Sequence, residues 1–318
     1  MKPILAAAAL ALAFTGDAHA FDIQGHRGAR GYAPENTLAA FKRALELGVT
    51  TIETDVGVSK DDVVVIAHDR RLNPAFTRDA DGRWIAAPGS TIRSLTAAEL
   101  MRYDVGRLNP ESSYAKQWPQ QVAADAQRIP QLSELFALVR THPKRVSLNI
   151  ETKLSPLAPD DTVTPAAFAR LLVDEVRATD FTDRVTIQSF DWRTLVEAKR
   201  LAPEIRTACL TTEGGNGDTV KADASGRSPW HAGLSLSDAG SVAKLVKAAR
   251  CDIWSPFWRN VTADRVREAK ALGLQVIPWT VNEPADIEAM LDLPIDGLIS
   301  DYPDRVAKLV ATKGIAKQ

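Results

Sequence analysis

Apolar residues along this chain recur in two periods that take turns. Short runs such as Thr51-Ile52-Glu53-Thr54-Asp55-Val56 and Leu148-Asn149-Ile150-Glu151 alternate apolar with polar, the period of a strand. Longer stretches lie between them, such as 165–178 and 192–201, whose apolar residues return every three or four positions. That spacing puts them on one face of a helix. Read this way, the chain is predicted to form strands over 22–27, 51–58, 147–153, 185–190, 206–211, 252–256, 275–281 and 297–300. Helices are predicted over 36–47, 131–141, 165–178, 192–201, 238–249, 263–272, 284–291 and 303–312. Strand and helix in alternation make βαβ units and a parallel sheet. Eight of each fit an α/β fold of the (β/α)8, TIM-like barrel kind, with an open doubly wound sheet as the alternative.

Two segments depart from the alternation. The apolar run Val63–His68 follows Thr51–Val58 after only Ser59-Lys60-Asp61-Asp62. A parallel crossover takes a dozen residues or more, so these two runs are expected to form an antiparallel hairpin. Pairing outward from the turn sets Glu53 opposite His68. The second departure, about 70–128, holds turn pairs (Asn73-Pro74, Asp81-Gly82, Pro88-Gly89, Asn109-Pro110) and scattered aromatics (Phe76, Trp84, Tyr103, Trp118). It reads as an insertion above the face of the barrel where active sites lie and loops set specificity. Glu213–Ser228 is rich in Gly and Asp and reads as a flexible loop after the fifth barrel strand. No Ser- or Pro-rich linker divides the chain, so 21–318 are expected to form one barrel domain.

The amino terminus has its own character. Lys2, an apolar run from Ile4 to about Phe14, and Ala18-His19-Ala20 form the pattern of a cleaved export signal over 1–20. The run is too short to span a bilayer. A periplasmic or secreted protein starting at Phe21 is therefore expected. No Cys near the cleavage point indicates a lipid anchor, and no later run is long and apolar enough for stable membrane insertion. The net charge of −1 argues against a broad nucleic-acid surface. Nothing indicates a protein partner. Export would permit a disulfide between Cys209 and Cys251. Each sits in a strand-like run, however, where a buried free thiol serves as a small apolar residue, and the free pair is the favoured reading.

Alternation also sorts the candidate chemistry. With Ile52, Val56 and Val58 turned to the helices, Glu53 and Asp55 point together into the barrel mouth. With Leu148 and Ile150 outward, Asn149, Glu151 and Lys153 point in. Three carboxylates and one lysine leave an excess of negative charge that is costly to bury. A hard divalent cation, Ca²⁺ or Mg²⁺, would offset it better than zinc. An ion-pair network is the alternative. His26 and His68 each end a strand-like run beside this cluster. Two imidazoles there suggest a general acid and a general base. Zinc ligation by both is the rival reading, and their spacing carries no zinc signature. Arg27 offers a guanidinium fork for phosphate oxygens. Gly28 and Gly31 would let backbone approach a ligand, and Asn36 reads as the N-cap of the first helix, whose N–H groups could help hold an anion.

Taken in order, these residues resemble the glycerophosphodiester phosphodiesterase family. The resemblance lies in His26-Arg27-Gly28, Pro34-Glu35-Asn36-Thr37, Glu53-Thr54-Asp55-Val56, His68-Asp69 and Glu151-Thr152-Lys153. It continues in Gln188-Ser189-Phe190, Trp279-Thr280-Val281-Asn282 and Gly297-Leu298-Ile299-Ser300-Asp301-Tyr302-Pro303. It implies a TIM barrel with a segment inserted after His68-Asp69. It implies His26 and His68 as the acid–base pair, and Arg27 and Lys153 at the phosphate. Glu53, Asp55 and Glu151 would ligate Ca²⁺ or Mg²⁺, and Trp279 would line a glycerol pocket. The turn Ser59-Lys60-Asp61-Asp62 and Ser300 depart slightly from the family pattern, away from this chemistry. The implied reaction is hydrolysis of a small-molecule glycerophosphodiester to sn-glycerol 3-phosphate and an alcohol. Phospholipase D-like cleavage of lysophospholipids or sphingolipids, and an exported phosphodiester-binding protein without catalysis, are the alternatives. The paired histidines argue against the last.

Overall fold

The computed structural model describes residues 20–317 apart from Ser225, so the export signal expected over 1–20 lies, but for Ala20, outside the described residues. Nine strands form among the described residues. They are β1 (Asp22–Gly25), β2 (Thr51–Val58), β3 (Val64–Ile66), β4 (Ser147–Thr152), β5 (Val185–Ser189), β6 (Arg206–Thr211), β7 (Ile253–Pro256), β8 (Gln275–Val276) and β9 (Gly297–Ser300). The helices are α1 (Leu38–Glu46), α2 (Ala97–Leu100), α3 (Leu132–Arg140), α4 (Pro165–Ala178), α5 (Trp192–Leu201), α6 (Leu236–Ala239), α7 (Val242–Ala248), α8 (Ala263–Ala271), α9 (Pro284–Leu291) and α10 (Pro303–Thr312).

Eight strands run parallel in the order β8-β7-β6-β5-β4-β2-β1-β9, with β3 paired to β2 outside that path. Backbone hydrogen bonds from Asp296 to Val276 and from Ile299 to Pro278 bring β9 beside the chain that continues β8 and nearly close the barrel. The eighth strand was expected to reach residue 281. Its regular part stops at Val276, because Pro278 has no N–H to give to a ladder. A helix expected over 238–249 is two helices. Gly240, with φ 82°, ends α6, and the Ser241 side chain caps α7 by accepting from Lys244 N.

The main apolar core lies between barrel and helices, with Ile52, Leu148, Ile150 and Ile187 facing Phe41, Leu135, Phe168 and Leu195. Inside the barrel the lining is divided. Ala208, Ile253, Ile277 and Ile299 form an apolar side. Elsewhere in the lining Asn149 Nδ2 donates to Gln24 Oε1 and Gln188 Oε1 at 2.8 and 2.9 Å, so three polar side chains from β1, β4 and β5 are mutually bonded.

Three sequence expectations change. The β2–β3 hairpin forms, but Val56 pairs with Ile66 and Val58 with Val64. Extended outward, this register faces His68 with Thr54 rather than Glu53. The loop explains the slip: Ser59 already pairs with Val63, leaving three loop residues, and Asp62 takes φ 61° to close it. Cys209 of β6 and Cys251, two residues before β7, form a disulfide with Cα atoms 5.9 Å apart, rather than remaining free. Thr37, and not Asn36, caps α1 by accepting from Ala40 N.

The segment between β3 and α3 builds a small core of its own. Val65, Leu72, Ile92, Leu100, Val105 and Ile129 pack together, and Thr96 with Glu99 forms a capping box on α2.

Candidate active site

Strand alternation delivers Glu53, Asp55 and Glu151 to one place at the barrel mouth. One carboxylate oxygen from each lies within 4.8 Å of the others, and all three residues are buried. Neighbours hold them there. Arg27 N donates to Glu53 Oε2 at 2.8 Å and Gln188 Nε2 to Glu53 Oε1 at 2.9 Å. Asn36 Nδ2 donates to Asp55 Oδ2 at 2.9 Å. Lys153 Nζ donates to Glu151 Oε1 at 2.7 Å and stands 3.6 Å from Asp55 Oδ1. Asp55 Oδ1 itself is buried with no hydrogen-bond partner.

Burial, then Asp55 and Glu151, push the Glu53 carboxyl well above its ordinary value. Burial also pushes Glu151 up to about 7, even against Lys153. Burial works against Asp55 as well, but His68, Lys153 and Arg27 outweigh it and hold its carboxyl well below the usual range. Carboxylates so crowded favour either a shared proton or a cation. The all-oxygen donor set, with an orphaned buried acceptor on Asp55, fits a hard divalent ion.

The two histidines stand on either side of this cluster. His26 Nδ1 is 2.7 Å from Asp301 Oδ1, and its Nε2 is 3.9 Å from Glu53 Oε2. Burial and the Arg30 guanidinium lower its imidazole to about 4, against the pull of Asp301. His68 Nδ1 lies 2.8 Å from Asp69 Oδ1, and Asn73 Nδ2 in turn donates to Asp69 Oδ2 at 2.6 Å. Burial, then Arg27 and Lys153, hold the His68 imidazole well below its ordinary value.

Arg27, at φ 51°, turns its side chain beneath the loop after β1. Its guanidinium donates to Glu35 Oε1 at 2.6 Å, and Nε lies 3.4 Å from Asp55 Oδ2. Gly28 and Gly31 serve packing and not a ligand. A side chain on Gly28 would come within 2.6 Å of Ala40 backbone, and one on Gly31 within 2.2 Å of the Tyr302 ring. Trp279 Nε1 donates to Ser255 O at 2.9 Å, and its ring meets the edge of Phe190 at 5.4 Å.

His26, Arg27, Glu53, His68, Glu151, Lys153 and Trp279 line one cleft of about 190 Å³, with Asp55 set beneath it. Phe190, Leu210 and Ile299 give that cleft an apolar wall. His68 and Lys153 also border a second, more open hollow of about 340 Å³, shared with Asp69, Arg70, Arg71, Leu154 and Asp161. All eight residues singled out in the sequence therefore converge.

Other residues of the site carried no role in the sequence reading. Asp301 receives Arg30 Nε at 2.8 Å and Asn282 Nδ2 at 2.7 Å, so a carboxylate, an amide and a guanidinium fix the imidazole of His26. Burial opposes the charge on Asp301, yet Arg30 and His26 keep its carboxyl far below the usual range. Arg30 also stacks over the Trp118 ring at 4.2 Å, and the Tyr114 hydroxyl donates to Glu35. The inserted segment thus braces the floor of the site. The signal for Asp301 was present: counting two on from inward Ile299 puts it in the mouth.

Fold and site together define a barrel whose mouth joins a carboxylate cluster to two imidazoles, a guanidinium and an ammonium group. The chain belongs to the Glycerophosphoryl diester phosphodiesterase family, which it matches over residues 26–305. Members of that family hydrolyse phosphoric diesters. It is similar to a glycerophosphodiester phosphodiesterase of Caldanaerobacter subterraneus subsp. tengcongensis, 30% identical over 289 residues, or 91% of this chain and 97% of that one. A putative glycerophosphoryl diester phosphodiesterase of Silicibacter pomeroyi DSS-3 superposes with a TM-score of 0.82 at 32% identity, covering 94% of this chain and 96% of that one. An Oleispira antarctica phosphodiesterase, solved in complex with the product sn-glycerol-3-phosphate, shares the fold with a TM-score of 0.67 at 23% identity, over 92% and 97% of the two chains.

Proposed function

We propose that this protein hydrolyses glycerophosphodiesters to sn-glycerol 3-phosphate and an alcohol, using a Ca²⁺ or Mg²⁺ ion held by Glu53, Asp55 and Glu151. The observation that carries the reading is the buried triad beside two imidazoles in a single cleft. A bound cation would supply positive charge to offset the negative charge on the phosphoryl oxygens. Arg27 and Lys153 orient those oxygens from the two sides of the triad. Trp279, with Phe190, forms the apolar wall along which the glycerol carbons lie. His26, with Nδ1 tied to Asp301, keeps Nε2 toward the cleft and takes the proton of the attacking oxygen. His68 stands where the two hollows meet and gives a proton to the departing alcohol. The imidazole of His68 gains that proton as the anionic diester binds, because a nearby negative charge raises a histidine's affinity for it.

The same proposal includes export to an oxidising compartment. The Ala18-His19-Ala20 pattern and the Cys209–Cys251 disulfide both support it.

The test is turnover of glycerophosphocholine beside a lysophospholipid, before and after exhaustive chelation. Activity on the first is expected to vanish with chelator and return with Ca²⁺ or Mg²⁺. Glu53→Gln and Glu151→Gln are expected to fold and to need far more metal. Full activity after chelation would mean that the triad is a structural network. Preference for the lysophospholipid would mean that the glycerol half carries an acyl chain and that the reaction is phospholipase D-like.

A further inference from the structure

The loops leaving β3 and β4 do more than deliver His68 and Lys153. The β3 exit runs His68-Asp69-Arg70-Arg71, and the β4 exit runs from Lys153 to a short turn over Pro159–Asp161. Asp161 closes the gap between them. Its Oδ1 receives Arg71 at 3.0 Å and its Oδ2 lies 3.4 Å from Arg70 Nε. These residues wall the open hollow of about 340 Å³ that joins the catalytic cleft at His68 and Lys153. One carboxylate thus faces two guanidiniums. Asp69, the other acid in the wall, already serves His68 and Asn73. The two arginines and two carboxylates balance, and Lys153 leaves the hollow with one positive charge. Its wall has no aromatic ring, which a quaternary ammonium would need for cation–π contact.

We propose that this second hollow, walled by Arg70, Arg71 and Asp161, is the subsite for the departing alcohol and selects an alcohol half that carries its own oxyanion. The assignment rests on the hydrolytic reading above and names the substrate class within it. Three features carry it. His68, the residue at the junction, is placed to protonate an oxygen leaving into this hollow. The first cleft of about 190 Å³, with its one apolar wall, suits the small glycerol half, and the larger hollow suits a bulkier partner. A guanidinium can bind phosphate or carboxylate oxygens bidentately, whereas Arg70 and Arg71 now reach Asp161 through one contact each. Asp161 occupies the place of the oxyanion in the free protein, and an incoming anionic group competes with it for the two arginines.

The experiment compares kcat/KM for three substrates. Glycerophosphocholine has a cationic alcohol half and glycerophosphoglycerol a neutral one. In bis(glycerophospho)glycerol the alcohol half bears a second phosphodiester. The anionic substrate is expected to exceed glycerophosphocholine by about tenfold or more, the effect of one hydrogen bond to a charged group. Arg70→Glu and Arg71→Glu are expected to invert that ratio, an outcome that mere loss of folding cannot produce. Asp161→Asn is expected to raise the ratio further by freeing both arginines. If all three variants lower every substrate equally, the ion pairs only brace the two loops and the subsite assignment is overturned while the hydrolytic reading stands. A wild-type preference for the choline diester would overturn it as well. Failure of the wild-type protein to turn over any of the three would overturn the hydrolytic reading, and this assignment with it.

Discussion

His26 and Asp301 are separated by 275 residues in the chain and by 2.7 Å in space, and the pair shows what single residues contribute here. Tying Nδ1 to a carboxylate leaves Nε2 to face the chemistry, and Arg30 and Asn282 keep that carboxylate from turning. In the proposed reaction, loss of either histidine removes one proton transfer. His26→Ala and His68→Ala are therefore expected to lower kcat by about 10²–10⁴-fold, with smaller effects on KM because Arg27 and Lys153 remain. A p-nitrophenyl phosphodiester separates the roles. Its departing oxygen needs little protonation, so His68→Ala should recover on it while His26→Ala stays impaired. Equal behaviour of the two variants on both substrates would sink the division of labour.

Among the elements, the long connection after β6 holds a residue that answers to pH. His231 is buried there, stacked on the Trp192 ring with centroids 4.4 Å apart. Among the described residues neither of its ring nitrogens has a hydrogen-bond partner. Burial lowers its imidazole to about 4, against a weaker pull from Asp218. The folded value lies below the ordinary 6.5, so as pH falls the unfolded chain takes up this proton first. The contribution of neutral His231 is thus intact above pH 6.5 and declines as pH drops toward 4. By pH 4.5 the loss amounts to roughly 2 kcal/mol. His231→Phe keeps the stack and removes the titration. Denaturant unfolding at pH 7 and pH 4.5 should show a stability difference smaller by about that amount in the variant. An unchanged difference would mean that the imidazole finds a partner in solution.

At the scale of the whole molecule, the disulfide ties the two neighbouring strands β6 and β7 across a loop of sequence separation 42. Closing a loop of that length in the unfolded chain is worth about 4 kcal/mol in the chain-entropy account. A Cys209→Ser, Cys251→Ser double variant is expected to lose up to about that much stability in chemical denaturation. The metal requirement proposed for the triad, on β2 and β4, should be unchanged in the variant. Equal stability with and without the bond would show that the thiols serve only as small apolar residues, as the sequence had suggested.

The alternation of side chains settles much of this protein without any tertiary knowledge. The order of strands and helices, the hairpin after β2, and the inward set Glu53, Asp55, Glu151 and Lys153 all follow from a period of two or 3.6, which each short segment carries by itself. What local pattern cannot contain was decided by the fold. The hairpin register shifted by one because Asp62 adopts a positive φ in a tight three-residue loop. Asn36 left its capping place because Asp55, on another element, needed a donor. Cys209 and Cys251 pair because β6 and β7 lie side by side. Arg30, Glu35 and Asp301 became part of the site through Tyr114, Trp118 and His26, which reach them from remote parts of the chain. All but the hairpin register depend on a distance between residues apart in sequence, which the packed barrel brings within bonding reach.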